Sequence, residues 1–402
     1  MCLRAAWRPG GPRGRSVGSP VVSPLVRIAT RTYPPDVGAA PFRLRALARA
    51  LAGRGCDVEV LTTTGPPTPD DPGVRTRRAP VLRDGDGAVR GYLPYLSFDV
   101  PLTARLLTGR RPDVVVHEPP PTTGVVTRLA SRLRGIPYVS YLPDVWSQGA
   151  VAAGAPRPVL RGVELAEQLA LRGAARVLAV TAGMAEEVVR GGVDPDRVRV
   201  VGNGVDVEVF RPAPDSTPEV APEGAFHAVY SGTMSEWQGA GVFVRAFAEL
   251  VRERPGARLT MVGGGVDVPR LRELARGVPG VELPGTVPPE RAAALLARAD
   301  VALASLVPGT GYDLMSPTKI FAATACGTPV LFAGVGSGAD LVRAHDLGQV
   351  VAHDPAAVAE ALRRSASPSP SRRRELRRFA VAHGSLAAAA ERAADAVLEV
   401  LR

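Results

Sequence analysis

The chain has 402 residues, enough for two or three domains, and its net charge of +10 favours anionic partners such as nucleotide phosphates or phospholipid headgroups. Nucleic acid is disfavoured, because the arginines are scattered rather than interleaved with aromatic residues. No apolar run reaches the roughly 18 residues of a membrane span. Three cysteines without a C-x-x-C spacing imply neither a disulfide framework nor a zinc site, so we expect a protein of the reducing cytoplasm.

Residues 1–22 are rich in arginine, glycine and proline and lack a continuous apolar stretch, which predicts a disordered N-terminal extension. Residues 23–209 then alternate strand-like apolar runs with helical spacings. Strands are predicted at 26–30, 57–62, 113–116, 138–142, 176–180 and 198–201, and helices at 42–53, 123–134, 164–172 and 183–191. This alternation predicts a Rossmann-like domain with a parallel sheet, whose ligands bind at the carboxyl ends of the strands.

The composition changes at residues 210–225, where four prolines predict a linker. The alternation restarts in residues 226–385, which predicts a second Rossmann-like domain. Residues 386–402 form a predicted amphipathic helix, for which packing back on the N-terminal domain is one option. The expected fold is therefore α/β, with two doubly wound parallel-sheet domains facing an interdomain cleft.

Lys319 is the only lysine, because 48 of the 49 basic residues are arginine. A compact ammonium is retained where a planar guanidinium cannot replace it, and Lys319 follows a loop that opens into a helix, a typical anion site. The alternative is a leftover surface residue. A Ser316-x-x-Lys319 nucleophile is excluded because the partner K-T-G element needs a second lysine. A pyridoxal-phosphate lysine does not suit the twin-domain layout.

Three glycines, Gly263, Gly264 and Gly265, lie between a predicted strand and a predicted helix. They either let backbone N–H groups approach a phosphate or form a tight turn without a ligand. Their spacing does not match the G-x-G-x-x-G dinucleotide fingerprint.

Two polar residues directly follow predicted strands of the first domain. His117 is predicted to point into the cleft as a hydrogen-bond donor or proton carrier, or else to cap the strand end. Asp144 would hold a sugar hydroxyl or orient its loop.

Four arginines share the first predicted helix: Arg43, Arg45, Arg49 and Arg54. With the apolar residues Phe42, Leu44 and Leu47 they suggest peripheral docking on anionic lipid. A packed amphipathic helix with exposed arginines is the favoured alternative.

Several motifs, taken together in their order, resemble one family. They are residues 32–40, His117-Glu118-Pro119, residues 143–146, residues 202–206, residues 210–212, residues 232–239, residues 285–288, residues 299–301 and residues 317–331. From residue 26 to residue 401 the chain resembles the GT-B glycosyltransferases of family 4, and within them the lipopolysaccharide and capsule branch.

The resemblance implies a retaining transfer of sugar from a nucleotide-diphosphate donor to a hydroxyl acceptor, without a metal or another cofactor. His117 and Lys319 would be catalytic. The implied donor-binding residues are Gly38, Gly232, Thr233, Gln238, Gly263, Gly264, Gly265, Thr286, Ser316, Thr318 and Lys319. The implied acceptor or sugar contacts are Ala39, Ala40, Glu118 and Asp144. The acceptor would be a cell-envelope glycan, a lipid-linked molecule or a small molecule, met in the cytoplasm or at the inner face of the plasma membrane.

The chain departs from the family pattern in its donor half. Thr233 and Gln238 occupy positions where many members have arginine and lysine, and Gly264 replaces an acidic residue. Ala322 replaces a glutamate that binds ribose, which removes contacts worth about 1–3 kcal/mol. These departures keep open a catalytically silent subunit that scaffolds or activates a partner transferase. A nucleotide-sugar 2-epimerase shares the fold, but the motif order favours the transferase.

Overall fold

The computed structural model describes residues 23–36, 38–65, 70–83, 89, 91–152, 154–213, 226–314 and 318–402, without the side chains of residues 92 and 152. The predicted extension at 1–22, most of the predicted linker and Ser316 lie outside the described residues.

The first sheet contains seven parallel strands. They are β1 (Leu25–Ala29), β2 (Asp57–Thr63), β3 (Val74–Ala79), β4 (Val114–His117), β5 (Tyr138–Leu142), β6 (Arg176–Ala179) and β7 (Val198–Val200). Their order in the sheet is β3-β2-β1-β4-β5-β6-β7. The order reverses at β1, so the carboxyl ends of β1 and β4 form the switch point at which such sheets bind ligands.

Helices cover both faces of this sheet. They are α1 (Ala39–Gly53), α2 (Tyr92–Leu107), α3 (Pro121–Arg134), α4 (Trp146–Ala152), α5 (Arg157–Arg172) and α6 (Ala182–Arg190). Two separate clusters of buried apolar side chains fill the layers, one under α1 and the other under α2, α3 and α5.

The second sheet contains six parallel strands. They are β8 (His227–Ser231), β9 (Arg258–Val262), β10 (Val281–Gly285), β11 (Val301–Leu306), β12 (Val330–Gly334) and β13 (Gly348–Val351), in the order β10-β9-β8-β11-β12-β13. The helices that follow the first domain are α7 (Gly241–Glu253), α8 (Val268–Ala275), α9 (Pro289–Arg298), α10 (Thr318–Ala325), α11 (Ser337–Ala344), α12 (Pro355–Arg364), α13 (Pro370–His383) and α14 (Leu386–Leu398). Apolar side chains of β8 and β11 are buried on both sheet faces, as parallel strands require.

The last helix, α14, packs on α1 of the first domain. Its small side chains, among them Ala393 and Val397, are fully buried in the same cluster as Leu47. Arg54, directly after α1, pairs with Glu391 of α14 at 2.6 Å. The chain thus returns to the first domain after completing the second.

The described arginines of α1 all have carboxylate partners. Arg43 is buried against Glu118, and Arg45 and Arg49 contact Asp71 at 2.7 and 2.6 Å. These two arginines lower the pKa of Asp71 to about 2. Leu44 and Leu47 are fully buried.

The structure favours the packed-helix alternative over lipid docking, because Leu44 and Leu47 lie in the core and the arginines are paired with carboxylates. Of the three apolar residues, only Phe42 is exposed, at 39%. Among the described residues, no helix has both the length and the apolar composition of a transmembrane span.

Candidate active site

Three loops meet at the carboxyl ends of β8, β9 and β10. The N–H of Gly232 donates to the carbonyl of Val262, and that of Gly263 donates to Gly285, both at 2.9 Å. Met234 donates to Gly264 at 2.8 Å. Gly263 has φ +135°, and a Cβ there would overlap the Gly232 carbonyl oxygen, so only glycine permits this close approach.

The loop hydrogen bonds restrict which N–H groups can meet a ligand. Those of Gly232 and Gly263 are already engaged with carbonyls. Those of Thr233, Gly264 and Gly265 have no hydrogen-bond acceptor within the described chain. Thr286 lies beside Gly264, where its Oγ1 is 3.1 Å from the place of an added Cβ. The predicted glycine run therefore packs the loops together and also leaves donors for an anion.

Lys319 lies in the first turn of α10 and reaches the same loops. A Cβ on Gly232 would be 3.0 Å from Lys319 Cε, and Nζ is 5.2 Å from the centre of the Tyr230 ring. The residue forms no ion pair with a described carboxylate. Burial lowers the pKa of Lys319 to about 7, although the side chain keeps partial exposure.

Gln238 is the hydrogen-bond partner of Lys319. Its Oε1 accepts from Nζ at 2.7 Å, while its amide nitrogen donates to the Tyr230 hydroxyl at 3.1 Å and to the Thr233 carbonyl. The opposite amide orientation would place the NH2 group of Gln238 against the ammonium of Lys319. Because two donors repel each other, the orientation with Oε1 facing Lys319 is favoured. The residue that stands where many members have a lysine thus positions the chain's only lysine. The Thr233 side chain is exposed.

An aromatic pair beside this cluster was missed at the sequence level. Trp237 and Tyr312 stack with ring centroids 4.7 Å apart and an interplanar angle of 25°. The Trp237 Nε1 and Asp313 Oδ1 atoms are buried without a hydrogen-bond partner in the described chain. The only sequence signal is that both aromatic residues lie in loops that follow strands, β8 and β11.

The first domain approaches this pair across the cleft. The Tyr312 hydroxyl would be 2.9 Å from a Cβ on Gly149 of α4. Thr181 Oγ1 donates to the Leu314 carbonyl at 3.4 Å. Burial raises the pKa of the Tyr312 hydroxyl, and the nearby charge of Asp144 raises it further. The predicted Asp144 therefore lies between the two halves.

Glu118 and Asp144 have different environments. Glu118 is buried and paired with Arg43, whose guanidinium lies 5.3 Å from the Tyr141 ring centre. Asp144 has no hydrogen bond among the described residues, and burial raises its pKa. Of these two predicted sugar or acceptor contacts, only Asp144 keeps a carboxylate without a hydrogen-bonded partner.

His117 ends β4 but does not face the cleft. Its side chain is 2% exposed, and neither ring nitrogen has a hydrogen-bond partner in the described chain. A Cβ on Gly124 of α3 would lie 2.8 Å from His117 Cε1, so this glycine makes room for the ring. Burial lowers the pKa of His117 to about 4. The expected orientation into the cleft is wrong, because the ring packs under α3 instead.

The remaining predicted positions differ in exposure. Gly38 precedes α1, with exposed Ala39 and partly exposed Ala40 in the first turn, and no described side chain caps this end. Thr318 is partly exposed at the start of α10, and Ala322 is 7% exposed within the core of the second domain.

The described residues hold no group of three His, Cys, Asp or Glu side chains suited to a metal.

Comparison with known proteins identifies the family. Residues 38–204 match the model described as Glycosyl transferase 4-like domain, and residues 225–367 match Glycosyl transferases group 1. The D-inositol 3-phosphate glycosyltransferase of Acidothermus cellulolyticus is 31% identical over 380 residues, covering 87% of this chain and 82% of that protein. The chain is a group 1 glycosyltransferase. The enzyme class expected from the motifs is confirmed.

Solved structures confirm the GT-B fold of this glycosyltransferase. Sucrose-phosphate synthase from Thermosynechococcus elongatus superimposes with a TM-score of 0.71 at 20% identity, covering 91% of this chain and 96% of that one. WaaG, a glycosyltransferase involved in lipopolysaccharide biosynthesis, gives 0.70 at 18% identity, with 92% and 99% covered. The roles of individual site residues in this glycosyltransferase stay predictions.

Proposed function

We propose that this glycosyltransferase moves a sugar from a nucleoside-diphosphate donor to a hydroxyl group, with retention at the anomeric carbon and without a metal. The observation that carries the proposal is the Lys319 ammonium, which lies among loops with unengaged N–H groups and has no carboxylate partner in the described chain. A diphosphate supplies the negative charge that this site lacks.

The residues of the second domain act on the leaving diphosphate. As the bond to the anomeric carbon breaks, negative charge grows on the departing phosphate oxygen. Lys319 and the N–H groups of Thr233 and Gly264 stabilise that charge, and Gln238 holds the ammonium in place. The stacked Trp237 and Tyr312 rings and the approach of the first domain exclude water, which would otherwise hydrolyse the donor.

The acceptor proton goes to the departing phosphate. His117 is buried away from the cleft, and Glu118 is committed to Arg43, so neither is placed to accept it. An acceptor hydroxyl that gives its proton to the leaving oxygen attacks from the face that the diphosphate leaves, which supports retention. Asp144 would hold a sugar or acceptor hydroxyl through a hydrogen bond.

The acceptor is proposed to be a small hydroxyl compound that carries a phosphate. The relative from Acidothermus cellulolyticus is named for such a molecule. In this chain Arg31 lies just after β1, and its terminal nitrogens donate to the carbonyls of Val89 and Pro119. Its buried Nε has no hydrogen-bond partner in the described chain and is the donor left for a ligand. A guanidinium at the carboxyl end of a central strand is a suitable partner for an acceptor phosphate.

Isothermal titration of UDP, GDP and dTDP tests the donor site. We expect one diphosphate to bind at micromolar affinity and the binding to fall about 10- to 150-fold in Lys319→Met, since a charge-assisted contact contributes about 1.5–3 kcal/mol. Arg245→Met, an exposed site on α7, is the control and should bind as the wild type does.

If no diphosphate binds the wild type, the donor proposal fails and the silent-subunit alternative replaces it. In that case, the buried Ala322 at the position of the ribose-binding glutamate would be the main reason.

A further inference from the structure

Exposed apolar side chains are concentrated on one helix layer of the first domain. Of the fifteen large hydrophobic side chains that are exposed in the described chain, eight lie on α2, α3 and α5. They are Leu93, Leu96, Val100 and Leu107 of α2, Leu129 and Leu133 of α3, and Leu165 and Leu169 of α5. The described part of the second domain exposes only three, Val266, Val335 and Val381.

The eight side chains lie on three helices that pack side by side. On α2 they recur at spacings of three, four and seven residues, which places them on one helical face. Helix α3 packs between α2 and α5, and the buried sides of all three helices share one core cluster. Their exposed sides therefore point away from the sheet together. Apolar surface concentrated in this way marks an interaction site rather than ordinary scatter.

The charges on these three helices are almost all positive at the surface. Seven arginines occur on them, and none forms an ion pair with a described carboxylate: Arg105, Arg128, Arg132, Arg134, Arg157, Arg161 and Arg172. Of their three carboxylates, Asp99 and Glu167 are buried, which leaves Glu164 exposed. This contrasts with α1, where every arginine is paired.

We infer that this apolar–basic face, formed by α2, α3 and α5, docks the enzyme on an anionic lipid bilayer. Four of these arginines donate to backbone carbonyls, whereas Arg132, Arg157 and Arg161 have no hydrogen-bond acceptor in the described chain. A layer of leucines flanked by guanidiniums without carboxylate partners matches acyl chains below and anionic headgroups above. A second copy of the chain fits less well, because a symmetric dimer through this face would oppose arginine to arginine. The inference does not rest on the proposed donor or reaction.

The α2 helix also links this face to the cleft. Its first turn, which contains Leu93, lies on the side where the strands of the first sheet end. Tyr95 of the same helix packs edge-on against Trp146, with ring centroids 5.9 Å apart. Arg31, the proposed partner of the acceptor phosphate, lies 4.3 Å from the centre of that Tyr95 ring. A phosphorylated acceptor at the bilayer surface would therefore approach the acceptor side of the cleft along this helix.

Vesicle flotation tests the face directly. The full-length protein is mixed with phosphatidylcholine vesicles that contain either no phosphatidylglycerol or one-third phosphatidylglycerol, at 50 and 500 mM salt. We expect binding to the anionic vesicles that weakens at high salt. Leu96→Glu with Val100→Glu should abolish it. Arg157→Glu with Arg161→Glu should weaken it about 25-fold, since each arginine near an anionic surface contributes about fivefold.

A matched pair on the second domain separates this face from the overall charge of the chain. Arg378→Glu with Val381→Glu, both exposed on α13, should leave vesicle binding unchanged. All the substituted residues are exposed, and circular dichroism confirms folding of each variant. Absence of vesicle binding by the wild type overturns the inference, as would an equal loss in the α13 control. Self-association that the α2 variant abolishes, without lipid binding, would assign the face to a second copy.

Discussion

Lys319 illustrates how the surroundings of one residue can favour the binding of an anion. Its ammonium has an amide oxygen and an aromatic ring as neighbours, and no carboxylate balances it in the described chain. Burial without a counter-charge lowers its pKa to about 7. Binding of a diphosphate would restore the charged form, so ligand binding and proton uptake are coupled at this residue.

The single lysine makes this coupling measurable. Acylation of Lys319 by an amine-selective reagent requires the neutral amine, so its rate should be half-maximal near its pKa of about 7 and level off about one pH unit higher, whereas that of an ordinary lysine continues to rise toward pH 10. Bound diphosphate should suppress the reaction. Peptide mass spectrometry follows residue 319 specifically.

The same pKa predicts a direction for ligand binding. Affinity for the diphosphate should fall as the pH rises through 7, because the charged form of Lys319 is lost. A histidine base would instead make activity rise in this range. An acylation rate that is still increasing at pH 9 would show that the amine is not perturbed.

At the residue scale, the sequence identified the position of Lys319 but not the direction of His117. A lysine among 48 arginines is conspicuous without any geometry. The orientation of a side chain at the end of a buried strand depends instead on which neighbour leaves space. Here Gly124 leaves that space on α3, and no local pattern around His117 reveals it.

At the element scale, the sequence predicted the strands and helices that have a regular pattern of apolar residues. It did not predict elements whose residues favour another structure. The strands β5 and β8 were anticipated because they are short apolar runs. Helix α2 was missed because it contains Pro101, which ordinarily ends a helix. The edge strand β3 was missed because its sequence is largely polar and only one of its six side chains, that of Val74, is buried.

The packing of α14 on α1 gives a prediction at this scale. Ala393 is fully buried against the first domain, so Ala393→Asp would bury a charge without a partner and lower the free energy of unfolding by on the order of 3 kcal/mol. Hydrogen exchange should speed up in β1 and β4 and stay unchanged in β8 and β11. Ala387→Asp, at an exposed position of the same helix, is the control. Equal protection of both sheets in Ala393→Asp would contradict this account of α14.

At the scale of the whole molecule, the two domains are connected where the chain crosses between them. Val205 pairs with Ser385, and the Val205 N–H donates to the Gly384 carbonyl at 2.9 Å. The Leu386 N–H donates back to Val205 at 2.9 Å. Any closure of the cleft must turn about these paired segments.

Gly204 tests that pivot. A Cβ at Gly204 would overlap the Gly384 carbonyl oxygen, so Gly204→Ala should separate the segments. We expect a loss of about 1–3 kcal/mol in stability and faster hydrogen exchange at Val205 and Leu386. Gly256→Ala, where an added methyl meets no atom within 4 Å, should change neither. Unaltered exchange at Val205 in Gly204→Ala would show that the pairing is not required.

The position of α14 also affects folding during synthesis. The ribosome releases the first sheet and α1 long before α14, and domains ordinarily fold in the order in which they emerge. Here the buried surface of α1 that receives Ala393 and Val397 stays uncovered until about residue 398 has left the exit tunnel. The domain translated first is therefore completed last, and while it waits its incomplete core is a natural client for chaperones that shield apolar surface.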